Sequence, residues 1–369
     1  MTAAGKTAEW ATDAARSAGL ARGRKLIGYW LFAMCGMVFI MVIIGGVTRL
    51  TESGLSIVDW RPVTGWLPPM SDAAWLALFE AYKQTPEFLK INTHMDVEGF
   101  KGIFWLEYIH RLWGRLLGIA FAVPFLYFLI KRWVDRPLAW RLVLFFVLGG
   151  AQGALGWFMV KSGLVDDPDV SPYRLTAHLG LAIAIYAAMF WTALDLVAER
   201  NARRALPMHL RGLSAVILGW VFATMLSGGF VAGLDAGKTY NTFPLMDGKW
   251  VPDGLFLQDP AWRNFFENVT TVQFDHRVLA VGALLLIAAA WALALRARLS
   301  PPEMTRFHLL AGVGLLQVVL GVSTLLLVVP VSLAAIHQAF ALVLLTAAIL
   351  VVWYGRPSKS AGVRRFTIT

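Results

Sequence analysis

Long apolar blocks alternate along this chain with short basic or Gly/Pro-rich stretches, at a spacing that suits membrane spans rather than core helices. A block of about 20 apolar residues matches a hydrocarbon core about 30 Å thick. Eight such blocks predict helices at roughly 27–47, 103–130, 142–161, 175–197, 212–233, 272–295, 307–329 and 332–354. In lipid a backbone must satisfy its own hydrogen bonds, so eight blocks predict a helical bundle. The fold class expected is an all-α integral membrane protein of eight transmembrane helices.

Composition agrees: 58% of the 369 residues are hydrophobic and 15% charged. That balance is too apolar for an ordinary soluble domain of this size. Tryptophans at span ends, among them Trp30, Trp105, Trp133 and Trp353, suit an interfacial belt. The charges then set an orientation. Arg22, Arg24 and Lys25 precede the first block, and Lys131, Arg132, Arg136 and Arg141 separate the second and third. Arg200, Arg203, Arg204 and Arg211 follow the fourth. Arg296, Arg298 and Arg306 lie between the sixth and seventh, and Arg356, Lys359, Arg364 and Arg365 close the chain. All fall on one side if the spans alternate, and the positive-inside rule makes that side cytoplasmic, both termini included. The opposite loops, 48–102 and 234–271, are longer and mix signs. The net charge of +10 is largely this topology signal, and no folded basic domain supports nucleic-acid binding. Residues 1–25 hold Glu9 and Asp13 and lack a cleavable signal pattern; they form a cytoplasmic N-terminal segment, compatible with a short amphipathic stretch on the membrane surface, and no function is assigned to them. Cys35 alone excludes an internal disulfide, a CxxC pair and a cysteine-held cluster.

The two halves repeat each other. Gly45-Gly46-Val47-Thr48-Arg49-Leu50 leads into Trp60-Arg61-Pro62-Val63-Thr64-Gly65, and Gly228-Gly229-Phe230-Val231 leads into Phe243-Pro244-Leu245-Met246-Asp247-Gly248. Glu107-Tyr108-Ile109-His110-Arg111 parallels Gln273-Phe274-Asp275-His276-Arg277. Gln152 with Leu155-Gly156 parallels Gln317 with Leu320-Gly321, and Thr176-Ala177-His178 parallels Ala335-Ile336-His337. Each half has an even number of spans, so the repeats run in the same direction, related by an axis along the membrane normal. The expected architecture is two pseudo-symmetric parallel-repeat four-helix bundles, 26–200 and 201–355, between a cytoplasmic segment 1–25 and a cytoplasmic tail 356–369.

The repeat sorts the seven histidines. His94, His209 and His308 fall in loops or at span borders, where an ordinary polar residue is the simpler reading. His110, His178, His276 and His337 fall inside spans at matching positions, where an ionisable group is expensive and usually functional. Each half offers two imidazoles at one depth on alternate helices. Two facing imidazoles without a carboxylate or thiolate to complete a tetrahedron suit the axial positions of haem iron better than zinc. Arg111 and Arg277 follow the span-opening histidines and are candidate partners for haem propionates, or else interfacial anchors. Gly114/Gly118 and Gly149/Gly153/Gly156 serve either close helix packing or room for a flat macrocycle. Glu107 shares a helix face with His110, and Gln273 stands in its place in the second half. An expensive carboxylate in one copy of a repeat marks the first half as catalytic and the second as a fixed haem site; the alternative is that Glu107 orients a ligand or pairs with Arg111.

With these motifs assembled, residues 26–354 resemble the haem A synthase family. The resemblance is carried by Glu107-Tyr108-Ile109-His110-Arg111, Thr48-Arg49-Leu50-Thr51-Glu52-Ser53-Gly54-Leu55, His178, Asp275-His276-Arg277 and Ile336-His337-Gln338. It implies oxidation of the C8 methyl of haem O to the formyl group of haem A, for cytochrome oxidase. It implies Glu107 as the essential carboxylate, His110 and His178 serving the substrate haem, and His276 and His337 holding a haem b cofactor. Implied partners are haem O, the farnesyltransferase that makes it, oxidase assembly factors and an electron acceptor of unspecified kind; a homo-oligomer is compatible. The chain lacks the outer-loop cysteine pair of some members and is similar to the cysteine-lacking proteobacterial and mitochondrial branch. The absence of a transit pattern points to a bacterial inner membrane with the haem sites toward the periplasm. Two other readings stay open: a bis-histidine dihaem cytochrome b, disfavoured because all four histidines lie toward one face, and a haem carrier, which leaves the Glu107/Gln273 difference unexplained.

Overall fold

The computed structural model describes residues 3–61, 64–164, 170–198 and 204–357. Eleven α-helices follow in order: α1 Ala3–Leu50, α2 Asp72–Tyr82, α3 Pro86–Lys90, α4 Val97–Ile130, α5 Arg136–Gly163, α6 Pro172–Val197, α7 Met208–Gly233, α8 Asn264–Glu267, α9 Val269–Arg296, α10 Pro301–Leu326 and α11 Val331–Gly355. Eight are long and apolar enough to cross a membrane: α4, α5, α6, α7, α9, α10, α11 and the Arg22–Leu50 part of α1. The chain is a multi-pass helical membrane protein. Arg200, Arg203, Lys359, Arg364, Arg365, the boundary at 200/201 and the tail beyond 357 lie outside the described residues, as do Pro62 and Val63.

Helices start earlier than the apolar blocks because polar caps, not hydropathy, set their first turns. Asp96 accepts from the Gly99 amide at 2.8 Å to open α4, and Asp135 accepts from the Leu138 amide at 2.9 Å to open α5. Asn268 accepts from the Thr270 and Thr271 amides to open α9, and Ser300 with Glu303 forms a capping box at α10. The block expected to end at 329 stops at Leu326. Val328 and Val329 take positive φ (59° and 58°) in the turn before Pro330, a conformation β-branched residues rarely adopt. Helix α1 runs unbroken from Ala3 into the first span. Its alanine-rich start favours helix, and no proline interrupts it.

Packing connects the spans as two closed circuits. Helices α1, α4, α5 and α6 contact one another in ring order, and so do α7, α9, α10 and α11. Contacts of α6 with α7, α1 with α11, and α6 with α11 join the circuits. The joining helices therefore line the seam, and α6 and α11 bury more of their apolar windows than any other span, with α1 next. At one end of the seam Asp195 accepts from Trp353 Nε1 at 3.0 Å and pairs with Arg356, whose guanidinium lies over the Trp191 ring. At the other end Arg49 pairs with Asp235 at 3.0 Å. An apolar recess of about 400 Å³ opens on the seam between Trp191, Leu218, Phe222 and Ile349.

The 51–96 segment folds as a cap on the start of α4. Phe79, Tyr82, Phe100, Phe104 and Tyr108 form a buried aromatic cluster with Trp75 and Phe88 packed against it. The Tyr108 hydroxyl donates to the Trp66 carbonyl at 2.7 Å, holding the chain at Trp66 against the helix.

Candidate functional site

Each in-span histidine packs against a glycine of a neighbouring helix. A Cβ on Gly45 would come 3.2 Å from Nε2 of His110, and one on Gly228 would come 3.2 Å from Cε1 of His276. A Cβ on Gly156 would come 3.0 Å from Cε1 of His178, and one on Gly321 would come 2.8 Å from Cε1 of His337. The second glycine of each pair meets the other circuit instead. Gly46 faces the Gln338 side chain, and a Cβ on Gly229 would reach Thr176 Oγ1 at 2.9 Å. Consecutive helical residues point about 100° apart, so one glycine pair serves a histidine and the seam together. The imidazoles come together in pairs: His110 lies within electrostatic range of His178, and His276 of His337. All four rings are half-buried.

The pairs differ in how their rings are held. Ser227 Oγ donates to the Thr224 carbonyl at 2.8 Å, so its lone pair is left to accept from Nδ1–H of His276, also at 2.8 Å. The Thr224 carbonyl is a second acceptor for that ring, and the Gln317 carbonyl plays this part for His337. The Gln317 amide nitrogen also sits 3.2 Å from Nδ1 of His337 and donates to the His337 carbonyl at 3.1 Å. In His276 the held Nδ1–H fixes the tautomer that leaves Nε2 free for a metal. In the first half Gln152 donates to the His178 carbonyl at 2.9 Å, yet Nδ1 of His178 is buried with no partner among the described residues. Ile44 occupies the place that Ser227 takes in the second half, and the His110 ring makes no hydrogen bond among the described residues.

This donor set fits haem. Among the described residues no three His, Cys, Asp or Glu side chains gather to hold a metal ion, so each site rests on two imidazoles. A Cβ on Gly118, Gly149 or Gly153 would meet nothing within 4 Å, so these glycines mark open space rather than helix contact. Gly156 is different, since it is the His178 contact.

Glu107 and Arg111 form a clamp on the outer strap. Glu107 is 2% exposed. Its Oε1 accepts from Nε of Arg111 at 2.9 Å, and its Oε2 accepts from Ser56 Oγ at 2.7 Å and the Ile57 amide at 2.8 Å. Arg111 donates onward to the carbonyls of Ile57 at 2.9 Å and Asp59 at 3.1 Å. The second half builds the same clamp without charge on the partner. Gln273 Oε1 accepts from Arg277 at 3.2 Å, its Nε2 donates to the Ala236 carbonyl at 2.8 Å, and Arg277 donates to the Tyr240 and Thr242 carbonyls at 2.6 and 2.8 Å. The pairing of Glu107 with Arg111 weighed from sequence is thus present. Both guanidiniums are committed largely to loop carbonyls, although Nε of Arg277 is buried without a partner. His94 lies in the loop between α3 and α4, His209 sits in the first turn of α7, and His308 lies about two turns into α10.

Residues 28–349 match the family model described as cytochrome oxidase assembly protein, COX15-CtaA. The chain belongs to that family. It is 56% identical to "Heme A synthase" of Nitrosospira multiformis over 333 residues, covering 89% of this chain and 93% of the relative. It is 48% identical to "Heme A synthase" of Nitrosomonas eutropha, over 88% of this chain and 92% of the relative. It is likewise 48% identical to "Heme A synthase COX15" of Arabidopsis thaliana, over 89% of this chain and 74% of the relative.

In this COX15-CtaA member the structure adds residues that sequence reasoning passed over. Ser56 and Ser227 act through single hydrogen bonds whose partners lie 51 and 49 positions away, with no periodic signal to mark them. Glu87 counted only as one more loop acid, yet it is 3% exposed.

Proposed function

We propose that the protein is a haem A synthase: haem O enters the first-half site, and its C8 methyl is oxidised to a formyl group by two hydroxylations and loss of water. The observation that carries this reading is the unequal holding of two matching histidine pairs. His276 and His337 have their Nδ1 atoms anchored, which suits a resident haem b; His110 and His178 have no such anchor, which suits a haem that must arrive as substrate and leave as product. Second-sphere partners of a ligating histidine fix its orientation and strengthen binding.

When bound, haem b supplies one-electron transfer. The chain supplies the rest. His110 and His178 position the substrate, Gly45 and Gly156 leave room for their rings, and Glu107 holds the 56–59 strap over the site while presenting the carboxylate that the second half replaces with Gln273. With water as the oxygen source the change balances as R–CH3 + H2O → R–CHO + 4 H+ + 4 e−, the electrons passing to the electron acceptor and the protons being taken up by Glu107 in this reading. Residues 26–200 form the substrate unit and 201–355 the cofactor unit, related as parallel repeats; the recurring glycine contacts and strap clamps support that division. The Lys/Arg bias of the short loops supports cytoplasmic termini and sites facing the periplasm of a bacterial inner membrane.

The test is haem extraction and mass analysis from a host that makes haem O but no haem A, with and without this protein. Appearance of haem A or its hydroxylated precursor supports the reading. Unchanged haem O beside a bis-histidine b-type spectrum, in cells able to reoxidise the protein, overturns it.

A further inference from the structure

Glu87 sits on the short helix α3, outside the spans, with its Oε2 buried and without a hydrogen-bond partner among the described residues. A carboxylate buried in this way is costly unless it is compensated or takes up a proton. Here its surroundings oppose ionisation: burial first, then the charges of Glu107 and Glu52, push the Glu87 carboxyl up to about 8. The neighbouring Tyr82 hydroxyl works weakly in the other direction. Asn92 donates to the Tyr82 oxygen at 2.8 Å, which leaves the phenolic proton free to point at Glu87. Glutamine or leucine would fill this place at no electrostatic cost. A neutral acid is a group that can both give and receive a proton.

Position matters as much as protonation. Glu107 (2% exposed) and Glu87 (3%) are buried, whereas the Glu52 side chain is 48% exposed and pairs with Lys238 at 3.8 Å. Glu87 feels the charge of both, and packing links it to Glu107: its neighbour Tyr82 shares an aromatic cluster with Tyr108, against which Ile57 packs, and the Ile57 amide donates to Glu107. Arg111 is bonded to Glu107, and Lys238 pairs with Asp235 at 2.9 Å as well as with Glu52.

We propose that Glu87 is a proton-relay residue, handing protons from the Glu107 end of the first-half site to the outer surface at Glu52. The inference rests on the haem A synthase reading, because that reaction liberates protons at Glu107. The relay is neutral in electrons and atoms: Glu87 releases its proton toward Glu52 and is reprotonated from the Glu107 side.

The experiment compares full-length wild type with Glu87→Gln and Glu87→Asp, in membranes of the haem O-making host and as purified protein. Infrared difference spectra against pH read the carboxylic-acid stretch, absorption spectra read haem content, and conversion of haem O is followed from pH 6 to 9. In wild type an acid band titrating near the value given for Glu87 is expected, absent from Glu87→Gln. Haem content is expected to hold, conversion to fall about 10-fold or more with loss of the alkaline limb, and Glu87→Asp to recover part of the rate. Should Glu87→Gln fail to fold, Glu52→Gln at the exposed end reads the same path and is expected to slow conversion with haem retained. A Glu87→Gln protein with the wild-type rate and pH profile overturns the relay, and so does Glu52→Gln at wild-type rate when it stands in for that variant. Wild type that makes no haem A overturns the function reading instead, and removes the relay with it.

Discussion

Ser227 Oγ lies 2.8 Å from Nδ1 of His276 and is itself oriented by the Thr224 carbonyl. Ile44, at the matching place in the first half, has no hydroxyl to offer His110. Loss of such a ligand partner weakens metal binding by about 10- to 100-fold. Ser227→Ala is therefore expected to speed haem transfer from the second-half site to an apo-globin acceptor by about that factor. An unchanged transfer rate would remove Ser227 from the site.

Gly321 tests the packing of the same site from the other side. A Cβ there would sit 2.8 Å from Cε1 of His337, closer than van der Waals contact allows. Gly321→Ala is expected to abolish binding at the second-half site while the first-half site still takes up added haem. The check is haem stoichiometry by pyridine haemochromogen, alongside size-exclusion profiles that show the fold intact. Full haem occupancy would mean that the His337 ring moves aside at little cost.

Replacing Glu107 separates its charge from its place in the clamp. Glu107→Gln copies the second half, where Gln273 holds Arg277 at 3.2 Å, so the strap and bound haem are expected to survive. Conversion of haem O is expected to fall about 100-fold or more. Glu107→Ala should do further damage, since stranding a buried guanidinium costs about 3–5 kcal/mol. Haem extracts and thermal melts distinguish the two variants. A normal haem A yield from Glu107→Gln would leave this carboxylate a purely structural role.

Glu87 gives a pH signature in stability. Its folded-state pKa, about 8 against an ordinary 4.5, is raised, so the folded protein binds the proton more tightly than the unfolded chain does. The stabilisation from that proton is complete below the unfolded value and is lost as pH rises through the folded one. Melting of the wild type is expected to shift down between pH 6 and 9 relative to Glu87→Gln, which lacks the titrating group. Parallel melting curves for the two proteins would contradict the burial of this acid.

Much of the architecture was readable before the coordinates, because lipid imposes one requirement on every span. The His110/His178 and His276/His337 pairs followed from position within the repeat. Helix starts were missed by several residues because Asp96, Asp135 and Ser300 act through single cap hydrogen bonds, which hydropathy does not register. The outer segment was less legible. Burial of Glu87 depends on the 72–90 region folding back onto α4, and the Arg111 partners are carbonyls of the strap, which carry no side-chain signature. The strap carbonyls bonded by Arg111 and Arg277, read from sequence as propionate partners or interfacial anchors, were illegible for the same reason.

The paired glycines have a consequence for how this chain tolerates change. Gly45 and Gly46 are neighbours in sequence, yet their surroundings lie in different circuits of the bundle, as do those of Gly228 and Gly229. A substitution at the first of each pair is a local fault, confined to one imidazole. At the second it is a fault of assembly, since it pries at the seam that both halves share. Adjacent codons thus answer to separate selective pressures, and inserting a single residue upstream in the helix would turn Gly45 to the seam and bring Ile44 against the imidazole.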